Sequence, residues 1–386
     1  MTTPPTVRVS ARLRTNAAIA HHLQTAEGSS RADIARELGY APSTVAAAVG
    51  ELIAEGRVEQ FTLPEASRSA GRPPVGLRVK LTGQLLGIEF DHDQVHVAIA
   101  DADGSVLTEG SLPVDTTQSA THAIAVAARL ARELLSSAAL GLDSVRGAAI
   151  GLPGPVDIRT GIVGSSSVLP NWLDVNVANE FRRHLGAVPV HVDNDANLAA
   201  RGEVLRSANF LYVKASTGLG AAICIDGRQL RGGYGAAGEL GHIAIPEEHL
   251  ACRCGNRGCL ETVSSSPALL RQLATFYPDA TCLNDIRNIF ASDPRVISRT
   301  LFDMGSQLGI HLAHLCTVLG ISQVIIGGEL TELGTSYIDG ARETTMRWVH
   351  PQLAPHMRVV RSEIGARAGL TGALVVARQV ALGGVR

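Results

Sequence analysis

Apolar positions recur in three short helical stripes near the start of the chain. In "AAIAHHLQTAEGSSRADIARELGYAPSTVAAAVGELIAEGRVEQF", Ile19 and Leu23 stand four apart, as do Ile34 and Leu38, and Val45, Val49, Leu52 and Ile53 share one face. Polar punctuation agrees with those stripes. Ser30 followed by Asp33 forms a capping box, Gly39 stops the second helix, Pro42 suits the first turn of the third, and Gly56 ends it. From about Leu81 the pattern changes to strands separated by helices. "LLGIEF" and "VHVAIAD" read as a hairpin, "GSVLTEGSLP" as a further strand, "AIAVAARLARELLSSA" as a long helix, and "VRGAAIGLPGPVD" as a buried strand entering a Gly-Pro loop. A second set opens with "FLYVKASTGLGAAICIDGRQL", and a helix over Met304 to Leu319 leads into the strand "QVIIGG". Two strand-rich sets, each closed by helices, predict two α/β lobes with a cleft between them.

A helix, a turn at glycine and a second helix is the spacing of a helix-turn-helix, in which one helix braces another that lies in a major groove. Ser43, Thr44, Ala47 and Glu51 are expected to face outward on the third helix, with Ser43, Thr44 and Ala47 as DNA contacts. That face is poor in Arg, Asn and Gln, so direct base reading should lean on Thr44 and on alanine contacts with thymine methyls. The following "RVEQFTLPEASRSAGRPPVGLRVKL" reads as a wing hairpin and a linker. Within it Gly71-Arg72-Pro73 resembles a hook that places Arg72 in a narrow minor groove. A helical cap or protein-interaction unit is the competing reading.

Charge supports a polyanionic partner only mildly. Residues 1–80 hold ten basic and seven acidic side chains, a balance of +3, which leaves −5 for the remainder of a chain whose net charge is −2. With 386 residues, 45% of them hydrophobic, two or three domains are expected. The absence of an eighteen-residue apolar run or an apolar leader predicts a cytoplasmic protein with no membrane partner. Thiols are kept reduced there, so "CRCGNRGC", with three of six cysteines in eight residues, points to a metal rather than to disulfides. Cys224, Cys282 and Cys316 sit in apolar contexts and are expected in the core.

The motifs "GLPGPVD", "LPNW", "VDNDANLAA", "GELGHIAI" and "CRCGNRGCLE", in that order, resemble the repressor, open reading frame and kinase (ROK) family over essentially the whole chain. The resemblance implies an N-terminal winged helix-turn-helix, mainly α, followed by a two-lobed α/β body of the actin/hexokinase-like (ribonuclease H-like) class. The expected boundaries are 1–63 for the winged unit, 64–80 for a linker with the Gly-Arg-Pro hook, 81–205 for the first lobe, and 206–386 for the second. The C-terminal helix is expected to return to the first lobe. The resemblance further implies a structural Zn2+ held by His242, Cys252, Cys254 and Cys259, a closed set with no position for a reacting water. It implies sugar contacts at Asn171, Asn194, Asp195, Glu239, His242 and Glu261. In the kinase branch the residue matching Asp195 is the general base.

The nucleotide loop departs from the kinase pattern. Where those enzymes have a sequence like Gly-Ile-Asp-Ile-Gly-Gly-Thr-Lys, this chain has Gly87-Ile88-Glu89-Phe90-Asp91-His92-Asp93-Gln94, which sets carboxylates where phosphates would approach backbone N–H groups. Ser216-Thr217-Gly218-Leu219-Gly220 and Gly327-Gly328 keep more of the expected form. The sequence therefore predicts a sugar-responsive repressor, with operator DNA and a sugar effector as partners, acting as a homodimer or tetramer without ATP/Mg2+. Read as an active sugar kinase with an accessory N-terminal unit, the chain would use Asp195 as its base. A DNA-binding protein answering to a protein partner instead of a sugar is a third reading.

Overall fold

The computed structural model describes residues 11–25, 29–62, 75–157, 160–164, 169–203, 208–233 and 235–383. It opens with α1 (Ala11–Thr25), α2 (Arg31–Leu38) and α3 (Pro42–Ala54), followed by an antiparallel ribbon of β1 (Val58–Thr62) and β2 (Val75–Val79). Both halves of the capping box form: Ser30 Oγ accepts from the Asp33 amide, and the Asp33 carboxylate accepts from the Ser30 amide. Gly39 leaves α2 at φ 68, and Pro42 lies in the first turn of α3. Ile19, Leu23, Ile34, Val45, Val49 and Leu52 converge beneath the helices, and the ribbon closes that core with Val58 and Leu77. Each such side chain contributes about 1.5–3 kcal/mol on burial. Strand β2 lies within the stretch read as linker. Arg68, Arg72 and the Gly-Arg-Pro hook lie outside the described residues.

One expectation for α3 is corrected. Ser43, Thr44 and Ala47 are exposed, but Glu51 turns back toward α1, where Arg12 Nε and Asn16 Nδ2 donate to it at 2.8 and 3.0 Å. A carboxylate one helical turn further from the N-terminus than Ala47 lies within reach of the α1 donors, so Glu51 braces α3 against α1.

The body is two sheets of the same design. The first comprises β3 (Gln84–Phe90), β4 (Gln94–Asp101), β5 (Val106–Pro113), β6 (Val145–Leu152) and, after the short pair β7 (Val156–Asp157) and β8 (Ile162–Val163), β9 (Val190–Asn194). Its order is β5-β4-β3-β6-β9, antiparallel from β5 to β3 and parallel from β3 to β9. Helices α4 (Ala120–Ser137) and α5 (Val177–Leu185) cover one face. The second sheet, β10 (Phe210–Ala215), β11 (Leu219–Ile225), β12 (Arg228–Leu230), β13 (Gln323–Gly327) and β14 (Arg358–Arg361), has order β12-β11-β10-β13-β14 and repeats the pattern. Around it lie α7 (Ser266–Leu273), α8 (Leu283–Ser292), α9 (Arg295–Leu319) and α10 (Ser336–Trp348). Helix α9 starts nine residues before the expected Met304, because Ile297 and Leu301 continue its buried stripe.

Two helices lie between the sheets. The first, α6 (Asp195–Glu203), packs on β10 and β11, while α11 (Ala368–Ala381) packs on β3 and β6. They touch so closely that Leu198 O occupies the place of any Cβ at Gly372. Strand β3 is thus buried on both faces, Leu86, Ile88 and Phe90 against α4 and α5 and Leu85 against α11, which explains its unbroken apolar run. Cys224 and Cys316 are buried as expected, but Cys282 is exposed, since it sits at the N-cap of α8, outside the apolar stripe. Among the described residues, no helix is long and apolar enough to cross a membrane.

Candidate functional site

The "CRCGNRGC" stretch forms a tight loop. The Cys252 amide donates to Asn256 O, Ala251 bridges Arg257, and Ala244 bridges Cys259. Gly255 and Gly258 take φ of 91 and 70, a conformation that side chains resist. These turns bring Cys252, Cys254 and Cys259 together with His242, which stands on a 3-10 turn after Glu239. The four donor atoms lie within 4.8 Å of one another. Cys252 Sγ is 3.6 Å from His242 Nδ1, and Cys254 Sγ is 3.6 Å from Cys259 Sγ. A tetrahedral ion with bonds of about 2.3 Å to sulfur needs donors about 3.7 Å apart, a spacing that these two pairs match. Burial and the neighbouring thiols push Cys259 up to about 12, a cost that a bound cation reverses. The other nitrogen of the ring, His242 Nε2, faces Glu239 Oε2 at 3.7 Å, so one imidazole serves the metal cluster and the cleft together.

That cleft opens between the lobes, near the C-terminal ends of β3, β6, β9 and β10, where open α/β sheets place their ligands. Asn194, Asp195, Glu239, His242 and Glu261 all line it, together with Asp91, His92, Lys214 and Arg253. Asn194 is also a helix cap: its Oδ1 accepts from the Ala196 and Asn197 amides at 3.0 and 3.2 Å, and its Nδ2 donates to Gly154 O. Glu261 accepts from the Leu219 amide at 3.1 Å and pairs with Arg253 Nε at 3.3 Å. Burial, with Asp195 and Glu261 nearby, pushes Glu239 up to about 7. Asn171 is not in the cleft. Trp172, edge-on to Phe90 in the core, fixes the Pro170–Trp172 turn, and Asn171 Nδ2 donates to Thr117 O at 2.7 Å.

The residues that replace the kinase glycines are occupied. Asp91 and His92 begin the turn between β3 and β4. Lys214, near the end of β10, donates to Glu89 Oε1 at 2.7 Å and Asp195 Oδ2 at 2.8 Å and approaches Asp91 at 3.4 Å. Burial works against ionisation of Asp91, but Lys214 and His96 outweigh it and hold that carboxyl well below its usual range. For Glu89 burial wins and the shift is upward. Arg253, between two metal-cluster cysteines, donates to His92 Nε2 at 2.8 Å from the other lobe. Sequence reasoning missed Lys214 and Arg253. The one signal for Lys214 was compositional, since Lys80 is the chain's only other lysine.

Beyond Lys214 lies a second cavity of about 430 Å³, lined by Glu89, Asp91, Glu109, Glu329, Arg287 and Arg367 among others. Its cations already have anionic partners: Arg367 pairs with Glu109, Arg287 with Glu332, and Lys214 with its three carboxylates. Gly328 at its edge has a φ of 92 and Ala215 O where a Cβ would sit, so backbone and sheet packing require that glycine.

Two duplicated sheets around a polar interlobe cleft, with a Cys-rich loop beside it, define an actin/hexokinase-like protein. The ROK family profile matches residues 85–380, and the chain belongs to the ROK family. It is 28% identical over 350 residues to a xylose repressor of Bacillus subtilis, covering 89% of both chains. A crystal structure of a ROK family transcriptional regulator, a homologue of the E. coli MLC protein, superposes with a TM-score of 0.75 at 26% identity, covering 97% of this chain and 98% of that one. A ROK family glucokinase from Streptomyces griseus, solved with glucose and AMPPNP, has a TM-score of 0.68 at 27% identity and covers 77% of this chain and all of its own.

Proposed function

We propose that the protein is a sugar-responsive, DNA-binding transcriptional regulator, a repressor of carbohydrate-metabolism genes. One observation carries this reading: the likeness to a regulator extends over 97% of the chain, through the N-terminal helices and ribbon, whereas the likeness to the glucokinase covers 77%. The N-terminal unit serves as a winged helix-turn-helix, with exposed Ser43, Thr44 and Ala47 entering a major groove and Arg72 reaching a minor groove. Two copies on a near-palindromic operator require a homodimer or a tetramer.

The His242, Cys252, Cys254 and Cys259 cluster holds a structural zinc, which keeps Arg253 and Glu261 in place and presents no open position to a substrate. A sugar's hydroxyls are recognised by Asn194, Asp195, Glu239, His242 and Glu261, carboxylates and amides that accept and donate at defined angles. Asn171 is assigned to the sugar by family resemblance alone. The sugar biases the angle between the lobes and thereby the spacing of the two recognition helices, by as much as its affinities for the two states differ. The ion-paired Asp195, and the anionic partners that the described Arg287, Arg367 and Lys214 of the second cavity already have, support a body that does not use ATP.

Footprinting on upstream DNA tests the reading: two protected half-sites related by a two-fold axis and spaced by whole helical turns are expected, and uniform protection without half-sites refutes it. Asp195, present in the cleft beside a kinase-like body, favours the second reading, a sugar kinase. Hexose-dependent ATP consumption that disappears in Asp195→Asn would establish that reading instead.

A further inference from the structure

Thirty-four side chains of this protein are Lys or Arg, yet only two are lysines, and one of them stands at the centre of the cleft. From β10 of the second sheet, Lys214 reaches Glu89 at 2.7 Å, Asp195 at 2.8 Å and Asp91 at 3.4 Å, groups carried by β3, the turn after it, and the start of α6. The three carboxylates also lie close to one another: one oxygen of each is within 4.8 Å of the other two. That is the arrangement of oxygen ligands around one hard cation. Three anions this close and mostly shielded from water repel one another strongly unless a positive charge lies among them. Glu89 sits against Gly369 in the first turn of α11, in space that any side chain there would fill. His96, 3.4 Å from Asp91, faces only that edge of the cluster.

We propose that Lys214 is a resident cation, its ammonium permanently holding the position in which these carboxylates would bind a divalent ion. A lysine suits that position better than an arginine. The ammonium is a compact point charge with three donors, matched to three converging acceptors, whereas a planar guanidinium serves one or two carboxylates edge-on. Two consequences follow from the geometry. The second lobe is pinned to the first through three ion pairs, with Arg253 and His92 as a further contact across the cleft. Asp195 has its Oδ2 engaged by the ammonium and its Oδ1 by the Ala196 amide, which withholds it from accepting a substrate proton. The inference concerns the cleft alone and stands whether or not the protein reads DNA.

The test is titration of zinc-loaded full-length protein with Mn2+, followed by electron paramagnetic resonance and by thermal melting. Wild type should bind no Mn2+ in the cleft. Lys214→Met should bind one ion per chain at least about tenfold more tightly, Mn2+ should raise its melting temperature, and adding Asp195→Asn should abolish both effects. Lys214→Arg, which keeps the charge, should fold and bind none. A folded Lys214→Met that takes up no more Mn2+ than wild type overturns the proposal, as does wild-type binding that Asp195→Asn removes. If Lys214→Met does not fold, Mn2+ in the refolding buffer should rescue it, and failure of that rescue also counts against the proposal. Operator binding by wild type, measured separately, reports on the regulator reading and not on this one.

Discussion

Replacing Leu52 by alanine should separate the N-terminal unit from the body in one experiment. Leu52 is fully buried on α3, in a core that also includes Ile19, Leu23, Ile34, Val45, Val49, Val58 and Leu77. Leu→Ala at such a site costs roughly 3 kcal/mol, because the lost burial is compounded by a cavity the neighbours only partly fill. A unit of about 70 residues has roughly 4–10 kcal/mol in total, so this one change removes a large share of it. Among the described contacts joining the unit to the body, Arg78 pairs with Asp103, and Arg378 donates to Val79 O. Asp103 is 56% exposed, and pairs of that kind contribute about 0–1 kcal/mol, too little to carry the loss into the body. Calorimetry should therefore show two transitions, the one belonging to the N-terminal unit lowered by about 12–24 °C and the other unmoved. Between the old and new midpoints, operator binding should be lost while metal content stays intact. A single transition that shifts as a whole, or operator binding that persists once the lower transition is passed, would refute the reasoning.

Three further outcomes are expected. Cys254→Ser should lower zinc affinity by at least about tenfold, read by metal analysis after dialysis, and should weaken sugar binding through the loosened Arg253 and Glu261 while leaving operator affinity without sugar unchanged. Thr44→Ala should weaken operator binding by about threefold to tenfold, the range of one hydrogen bond, without altering the salt dependence set by phosphate contacts. Asp193 is buried; burial works to raise its pKa, but His191 and Arg231 outweigh this and lower it. A lowered folded-state pKa means a contribution that is full above the unfolded value of about 3.9 and is lost as pH falls through the folded value. Asp193→Asn should thus cost about 3–5 kcal/mol at neutral pH by stranding the Arg231 guanidinium. Urea midpoints of variant and wild type should then converge in acid.

The parts of the structure written in local signals were legible in advance. Ser30, Asp33, Gly39 and Pro42 act within one helical turn of themselves, and the apolar runs of β3 and β6 follow from burial on both faces. The Cys3His cluster was legible because three cysteines with glycines between them have few other uses. What escaped depends on partners far along the chain. Glu51 meets Arg12 and Asn16, which are 39 and 35 residues away, and its own helix gives no sign of them. Asn171 follows a turn fixed by the burial of Trp172, and its amide donor goes to Thr117, 54 residues distant. Lys214 lies 125 residues from Glu89 and reads locally as an ordinary strand residue. Only the folding of two sheets onto α6 and α11 brings that lysine to its carboxylates.

The central claim is that one chain couples a sugar in the interlobe cleft to DNA at the N-terminal unit. It is tested most directly by fluorescence anisotropy of the purified protein on its own upstream DNA, at fixed salt, with and without a panel of sugars. The account predicts specific binding whose affinity one sugar changes, with the change lost in Glu261→Gln. Specific binding that no sugar alters, or no specific binding under any condition, would contradict it.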